Sequence, residues 1–309
     1  MSENIDEKLN AFAKIVVLFP SYEKAIKKIL HSVHTSTVRG APSSVLLLGN
    51  SGTGKSTICG HLLNIIGQPI DTLETHGEFQ KVPVLLCPIP ADCTINRLSV
   101  KILDQLGGIA KNTRDQILES RIIARLKTCQ VEVIIFDEFH HLLEKGADKS
   151  REKLCNWVKN LMNSTLIPII LAGTPSCEEI IDKHPQLARR YPYRVRLKNL
   201  GYNSEFKALF TTLIGEMVKI GTLRTDSFIM GEQALRTFYV ISGGNLDALC
   251  ILLLEIFQRS LNNPENTITR EDCVDAFDEL DIPCCFPTQD NPFTLDSHAI
   301  HNLMSKSPC

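Results

Sequence analysis

Nine residues, GNSGTGKST from Gly49 to Thr57, place glycines at 49, 52 and 54 ahead of a lysine and two hydroxyls. Glycine lets a backbone curl until successive N–H groups point inward, and a lysine at such a turn adds a mobile positive charge. This chemistry suits the cradling of phosphate. Gly49, Asn50, Ser51, Gly52, Thr53, Gly54, Lys55, Ser56 and Thr57 fit the pattern GxxxxGK[ST], with Lys55 bridging the β- and γ-phosphates of a nucleotide and Ser56 holding Mg²⁺. Ordinary residue frequencies give a chance match in about 1% of chains of this length. The apolar run SVLLL before it and the helix-like STICGHLLNII after it make chance rarer still.

A second stretch, VEVIIFDEFHHLL from Val131 to Leu143, ends an apolar run in two carboxylates followed by paired histidines. A phosphate loop needs a carboxylate at the end of another buried strand to hold Mg²⁺, and Asp137 supplies it. Glu138 suits a base that polarises the attacking water. The rival reading is an independent metal site of Asp137, Glu138, His140 and His141. Adjacent histidines are expected to diverge on a helix and the HExxH spacing is missing, so His140 and His141 are expected to pack beside the nucleotide or sense it.

Two further segments leave alternatives open. Leu166–Leu171 leads into AGTPS, where Thr174 is either a hydroxyl reaching the γ-phosphate or water, or an ordinary Thr-Pro turn. Residues 183–198 carry Lys183, Arg189, Arg190, Arg194, Arg196 and Lys198 with no acid among them. That run is a solvated basic face, a DNA-backbone contact, or the source of an arginine finger (Arg189 or Arg190) acting on a neighbouring subunit.

The elements that must position these residues follow from hydrophobic patterning. Short apolar runs at 45–48, 82–87, 131–136 and 166–171, with a weaker one at 193–197, alternate with helix-like segments. This predicts an α/β fold, an αβα sandwich around a five-stranded parallel sheet. Beyond about Leu200 the strand signals stop. Segments 204–220, 231–242, 245–261 and 269–281 read as helices, the last opened by a capping box of Thr269 and Asp272. The expected division is an N-terminal helical segment and linker over 1–40, with Ser21 capping its second helix. A nucleotide-binding domain over 41–200, a helical lid domain over 201–282 and an irregular C-terminal arm over 283–309 follow.

Composition sets outer limits. A net charge of -2 over 309 residues excludes a general polycation, so nucleic-acid binding must come from local clusters. No apolar run approaches the roughly 18 residues of a membrane span, and the acidic start MSENIDEKLN is unlike a signal peptide. The eleven cysteines form no CxxC pair, which predicts reduced thiols and a cytoplasmic protein.

Taken together, LLLGNSGTGKSTI, VEVIIFDEFHHLL, IILAGTPSCEEII and QLARRYPYRVRLKNL resemble, in order and spacing, the TniB/TnsC family of AAA+ ATPases that regulate DNA transposition. The resemblance implies ATP and Mg²⁺ as cofactors and slow ATP hydrolysis. It also implies assembly of the chain with itself into rings or filaments on double-stranded DNA, and partnership with transposase subunits and a target-selection protein of TniQ/TnsD type. It assigns Thr174 to the first sensor position. It places DNA contacts between the second and third strands, at Thr94, Asn96, Arg97, Lys101, Lys111, Asn112, Thr113 and Arg114. One departure is Leu246 in SGGNLDAL, where many AAA+ proteins carry a lid arginine; Asn245 is the candidate substitute. The alternative readings are a helicase- or clamp-loader-type ATPase and, less compatible with the DE strand end, a small-molecule phosphotransferase.

Overall fold

The structure, a computed structural model, describes residues 2–74, 77–91, 93–108, 115–144, 148–280, 282 and 284–305. It divides into two compact units, one of residues 21–198 and one combining 1–20 with 199–309.

The first unit is built on five parallel strands: β1 (Val45–Leu48), β2 (Val84–Pro88), β3 (Val133–Asp137), β4 (Ile169–Gly173) and β5 (Tyr193–Arg196). Their order across the sheet is β2-β3-β4-β1-β5. Every residue of β1, β3 and β4 is buried, the pattern of a sheet covered on both faces. Register aligns the strand ends: Leu48 lies beside Gly173 and Arg196, and Pro88 lies beside Asp137. The C-terminal ends of all five strands therefore lie on one edge, the usual place for a ligand in an open α/β sheet. Helices Lys55–Ile66, Ile95–Gln105, Asp115–Thr128 and Asp148–Thr165 make the crossovers.

Three features depart from the sequence reading. An antiparallel hairpin joins Ile70–Glu74 to Gly77–Lys81. Both arms mix charged with apolar residues, so neither shows a buried-strand signature. The second helix begins at Pro20 itself, with Ser21 inside it, and runs to Arg39 through the expected linker. Proline suits a first helical position because its missing N–H would have had no intrahelical acceptor. The extension is held by buried serines: Ser32 Oγ donates to the carbonyl of Ser43 at 2.6 Å, and Ser43 N donates to Ser36 Oγ at 2.9 Å.

The second unit is mostly helical, with Ser204–Gly221, Glu232–Ser242, Leu246–Asn262 and Arg270–Glu279 as its main elements. The capping box of Thr269 and Asp272 is present in both directions. The N-terminal helix Ser2–Ala13 belongs here, with Phe12 packed on Phe257 at 5.3 Å between centroids. The segment 1–40 is thus shared between the two units, because its two helices bury different faces on different cores.

Among the described residues after 283, the chain packs on the helical unit and ends in a helix instead of forming an unattached arm. Asp296 caps a helix, Ser297–Met304, and Phe286, Phe293, Ile300 and Leu303 are buried. Phe293 meets Phe238 at 5.1 Å, and Arg270 Nε donates to its carbonyl at 2.7 Å. Phe286 and Phe293 lie in non-helical chain rich in Pro and polar residues, so patterning reads the segment as irregular although both are buried. Phe293→Ala should lower the unfolding free energy of this unit by about 3–5 kcal/mol in urea titrations; a solvated arm would give no change.

Candidate nucleotide site

The loop that follows β1 is shaped by its glycines. Gly52 and Gly54 have φ of 73° and 84°, a region that side chains other than glycine disfavour. A Cβ on Gly49 would lie 2.5 Å from Thr53 Oγ1. Lys55 is buried and its ammonium donates to the carbonyls of Gly49 and Asn50 at 2.9 and 3.0 Å. Ser56 and Thr57 are exposed at the start of helix Lys55–Ile66, whose N-cap, Gly54, offers no side-chain acceptor to the first-turn amides. Those amides are oriented for an anion. One contact that no motif announces is Tyr22, whose buried hydroxyl donates to the carbonyl of Thr53 at 3.3 Å.

Asp137 ends β3 and is buried. Its Oδ1 accepts the amide of Glu138 at 2.9 Å, and Glu138 adopts φ 57°, which turns the chain sharply out of the strand. The expectation that the histidines diverge is not met. The rings of His140 and His141 lie 4.3 Å apart, and His140 Nδ1 comes within 3.3 Å of Glu138 Oε2. His141 Nδ1 is 2.7 Å from the carbonyl of Ile89.

Thr174 follows β4, which lies between the loop strand β1 and the Asp137 strand β3. Its hydroxyl pairs with Ser176 Oγ at 2.7 Å. Loop, carboxylates and Thr174 therefore share one sheet edge. The arginine pair does not. The carbonyl of Arg190 accepts from Ser44 N, just ahead of β1. That is the opposite edge, about 16 Å away along a five-residue rise. Neither arginine of the pair therefore lies on the edge that carries the phosphate loop. Arg189 is exposed, whereas Arg190 is half-buried with Nε lacking a hydrogen-bond partner, and burial lowers its pKa.

Arg194 and Arg196 of the basic run are paired with acids on a helix that the run itself does not contain. Glu178, on helix Ser176–Asp182, accepts from Arg194 Nη1 at 2.8 Å and from Arg196 Nε at 2.9 Å, and Asp182 accepts from Arg194 Nη1 at 2.8 Å. Arg194 and Arg196 are therefore ion-paired rather than left as isolated cations. Of the other basic or polar candidates, Thr94 caps helix Ile95–Gln105 by accepting from Arg97 N at 3.2 Å. Asn96 and Arg97 are exposed on that helix, and Lys101 donates to the carbonyl of Pro88. Lys111, Asn112, Thr113 and Arg114 lie outside the described residues. In the helical unit, Asn245 is engaged as a cap, accepting from Asp247 N and Ala248 N at 3.1 and 3.2 Å.

The ion pairs have a pH signature. Hydrogen bonding from Arg196 holds the Glu178 carboxyl below its ordinary value, against an opposing effect of burial, with Arg194 adding to it. A depressed folded-state pKa contributes stability above the unfolded value, about 4.3 for a glutamate, and loses it as pH falls through the folded value. Glu178→Gln should lower the thermal midpoint at neutral pH, with the gap to the parent closing in more acidic buffer.

Comparison with known proteins places this geometry. The profile of a family described as "Bacterial TniB protein" matches residues 14–199. No curated protein matches. Among solved structures, the ORC1 protein of Aeropyrum pernix in complex with DNA superposes with a TM-score of 0.58 at 17% identity, covering 86% of this chain and 66% of that one. ORC2 of the same organism gives 0.58 at 15% identity, covering 84% and 66%. The RuvB Holliday junction branch migration motor of Thermotoga maritima gives 0.50 at 15% identity, covering 89% and 72%. The chain thus spans just under two thirds of each ORC protein, and at these identities the likeness is one of fold, the AAA+ P-loop ATPase fold. With the family match extending over more than half its length, the chain belongs to the TniB family.

Proposed function

We propose that this chain is an ATP-dependent regulator of DNA transposition that assembles with itself on double-stranded DNA. In this reading it links a target-selection protein of TniQ/TnsD type to transposase subunits. The observation that carries the reading is the TniB-family match on a fold whose phosphate loop, DE-terminated strand and Thr174 share one sheet edge. ORC1 was solved on DNA and RuvB is a branch migration motor, so the fold is one that serves DNA transactions.

The proposed division of labour follows the geometry. Lys55 leaves the loop carbonyls for the β- and γ-phosphates, and the amides of the helix start complete the anion cradle. Ser56 and Asp137 would hold Mg²⁺, a hard cation suited to a hydroxyl and a carboxylate, whose charge offsets that of the phosphates. Glu138, partly exposed and next to Asp137, takes a proton from the attacking water. Thr174 orients that water or the γ-phosphate. Arg189, the more accessible of the arginine pair, is the candidate for stabilising charge in a neighbouring subunit. Thr94, Asn96, Arg97 and Lys101, with the segment 111–114, contact DNA phosphates, which position an assembly without reading sequence.

Assembly should be visible by electron microscopy with duplex DNA and a slowly hydrolysed ATP analogue, and a field of monomers alone would overturn the proposal. Lys55→Ala should abolish nucleotide-dependent assembly. Glu138→Gln should retain assembly while slowing phosphate release by about 10²–10⁴-fold; unchanged turnover would remove Glu138 as the base. Arg97→Ala and Lys101→Ala should each reduce the slope of log affinity against log salt by about 1, uniformly across DNA sequences.

A further inference from the structure

The histidine pair is the motif that neither nucleotide binding nor hydrolysis uses. One donor atom from each of Glu138, His140 and His141 lies within 4.8 Å of the other two. The carbonyl of Ile89 can only accept, so the nitrogen of His141 facing it at 2.7 Å carries the proton and Nε2 keeps its lone pair. A backbone carbonyl fixing one ring nitrogen is the usual support of a metal-binding histidine. His140 Nδ1 is buried without a hydrogen-bond partner, although Glu138 Oε2 is 3.3 Å away at a poor angle for one. A cation between the two would satisfy both atoms.

We infer that Glu138, His140 and His141 form a binding site for a divalent transition metal of the zinc class, with water completing the coordination. Two imidazoles and one carboxylate are a donor set that zinc accepts with an open position. Imidazole also discriminates against Mg²⁺, which prefers oxygen, so the ion that accompanies a nucleotide does not compete for the site. Entry is open from solvent, because 36% of the Glu138 side chain and 14% of that of His140 are exposed. A carboxylate committed to this ion cannot also polarise water, so occupancy blocks hydrolysis. That last step rests on the proposed role of Glu138, whereas the site itself does not.

The test titrates Zn²⁺ into the nucleotide-free protein in excess Mg²⁺ by calorimetry, and records absorption spectra with Co²⁺ in its place. The expected result is one ion per chain, with cobalt bands of a nitrogen–oxygen site and no thiolate charge transfer. His141→Ala and Glu138→Gln should each weaken binding about tenfold or more, while retained Mg²⁺–ATP binding verifies their fold. The site is overturned if the His140→Ala/His141→Ala double variant binds as the parent does, or if cobalt reports thiolate ligands. Stoichiometric Zn²⁺ should stop phosphate release by the parent. A bound ion that leaves turnover unchanged overturns the coupling and the assignment of Glu138 as base, but not the site.

Discussion

The register of β1 against β4 is the constraint on which the nucleotide site depends. Leu48 lies beside Gly173, and the amide of Gly49 donates to the carbonyl of Gly173 at 3.1 Å, so the phosphate loop starts where β4 ends. On its other side β4 pairs with β3, which brings Asp137 to the same edge. Side chains alternate along a strand, and a slip of one residue would turn each of them to the opposite face. The complete burial of β1, β3 and β4 opposes such a slip, because both faces are filled by fitted apolar side chains.

Crowding at this edge explains the small residues there. A Cβ on Gly173 would lie 2.7 Å from Cys177 Sγ and 3.3 Å from the amide of His140. The strand end carrying Thr174 and the turn carrying Glu138 are therefore in van der Waals contact. The left-handed backbone at Glu138 belongs to the same arrangement: a non-glycine residue held there is strained, and such strain is kept where surrounding contacts over-determine it.

Charge is organised differently along β5, which pairs with β1 on the side away from β4. Arg194 and Arg196 share Glu178, whereas Arg189 of the pair before them is exposed. Among the described residues no helix is long and apolar enough to cross a membrane, and every cysteine is free, as the scattered thiols lead one to expect. The helical unit is completed by chain from both ends of the sequence, with Phe12 and Phe293 each joining its aromatic packing.

Local pattern was enough for much of this protein. Glycines at 49, 52 and 54 with Lys55, apolar runs ending in Asp137 and Gly173, and the Thr269 box all act within a few residues, and their chemistry is readable in one dimension. Tertiary structure decided what depends on residues far apart in the chain. It set Glu178 against Arg194 and Arg196, Tyr22 under the phosphate loop, and Phe293 among Phe228, Phe238 and Phe277. It also brought the rings of His140 and His141 within 4.3 Å, against the expectation from helical geometry, with His141 fixed on the carbonyl of Ile89, far away in the chain. Patterning reports which residues prefer to be buried; only the closed fold determines what they are buried against.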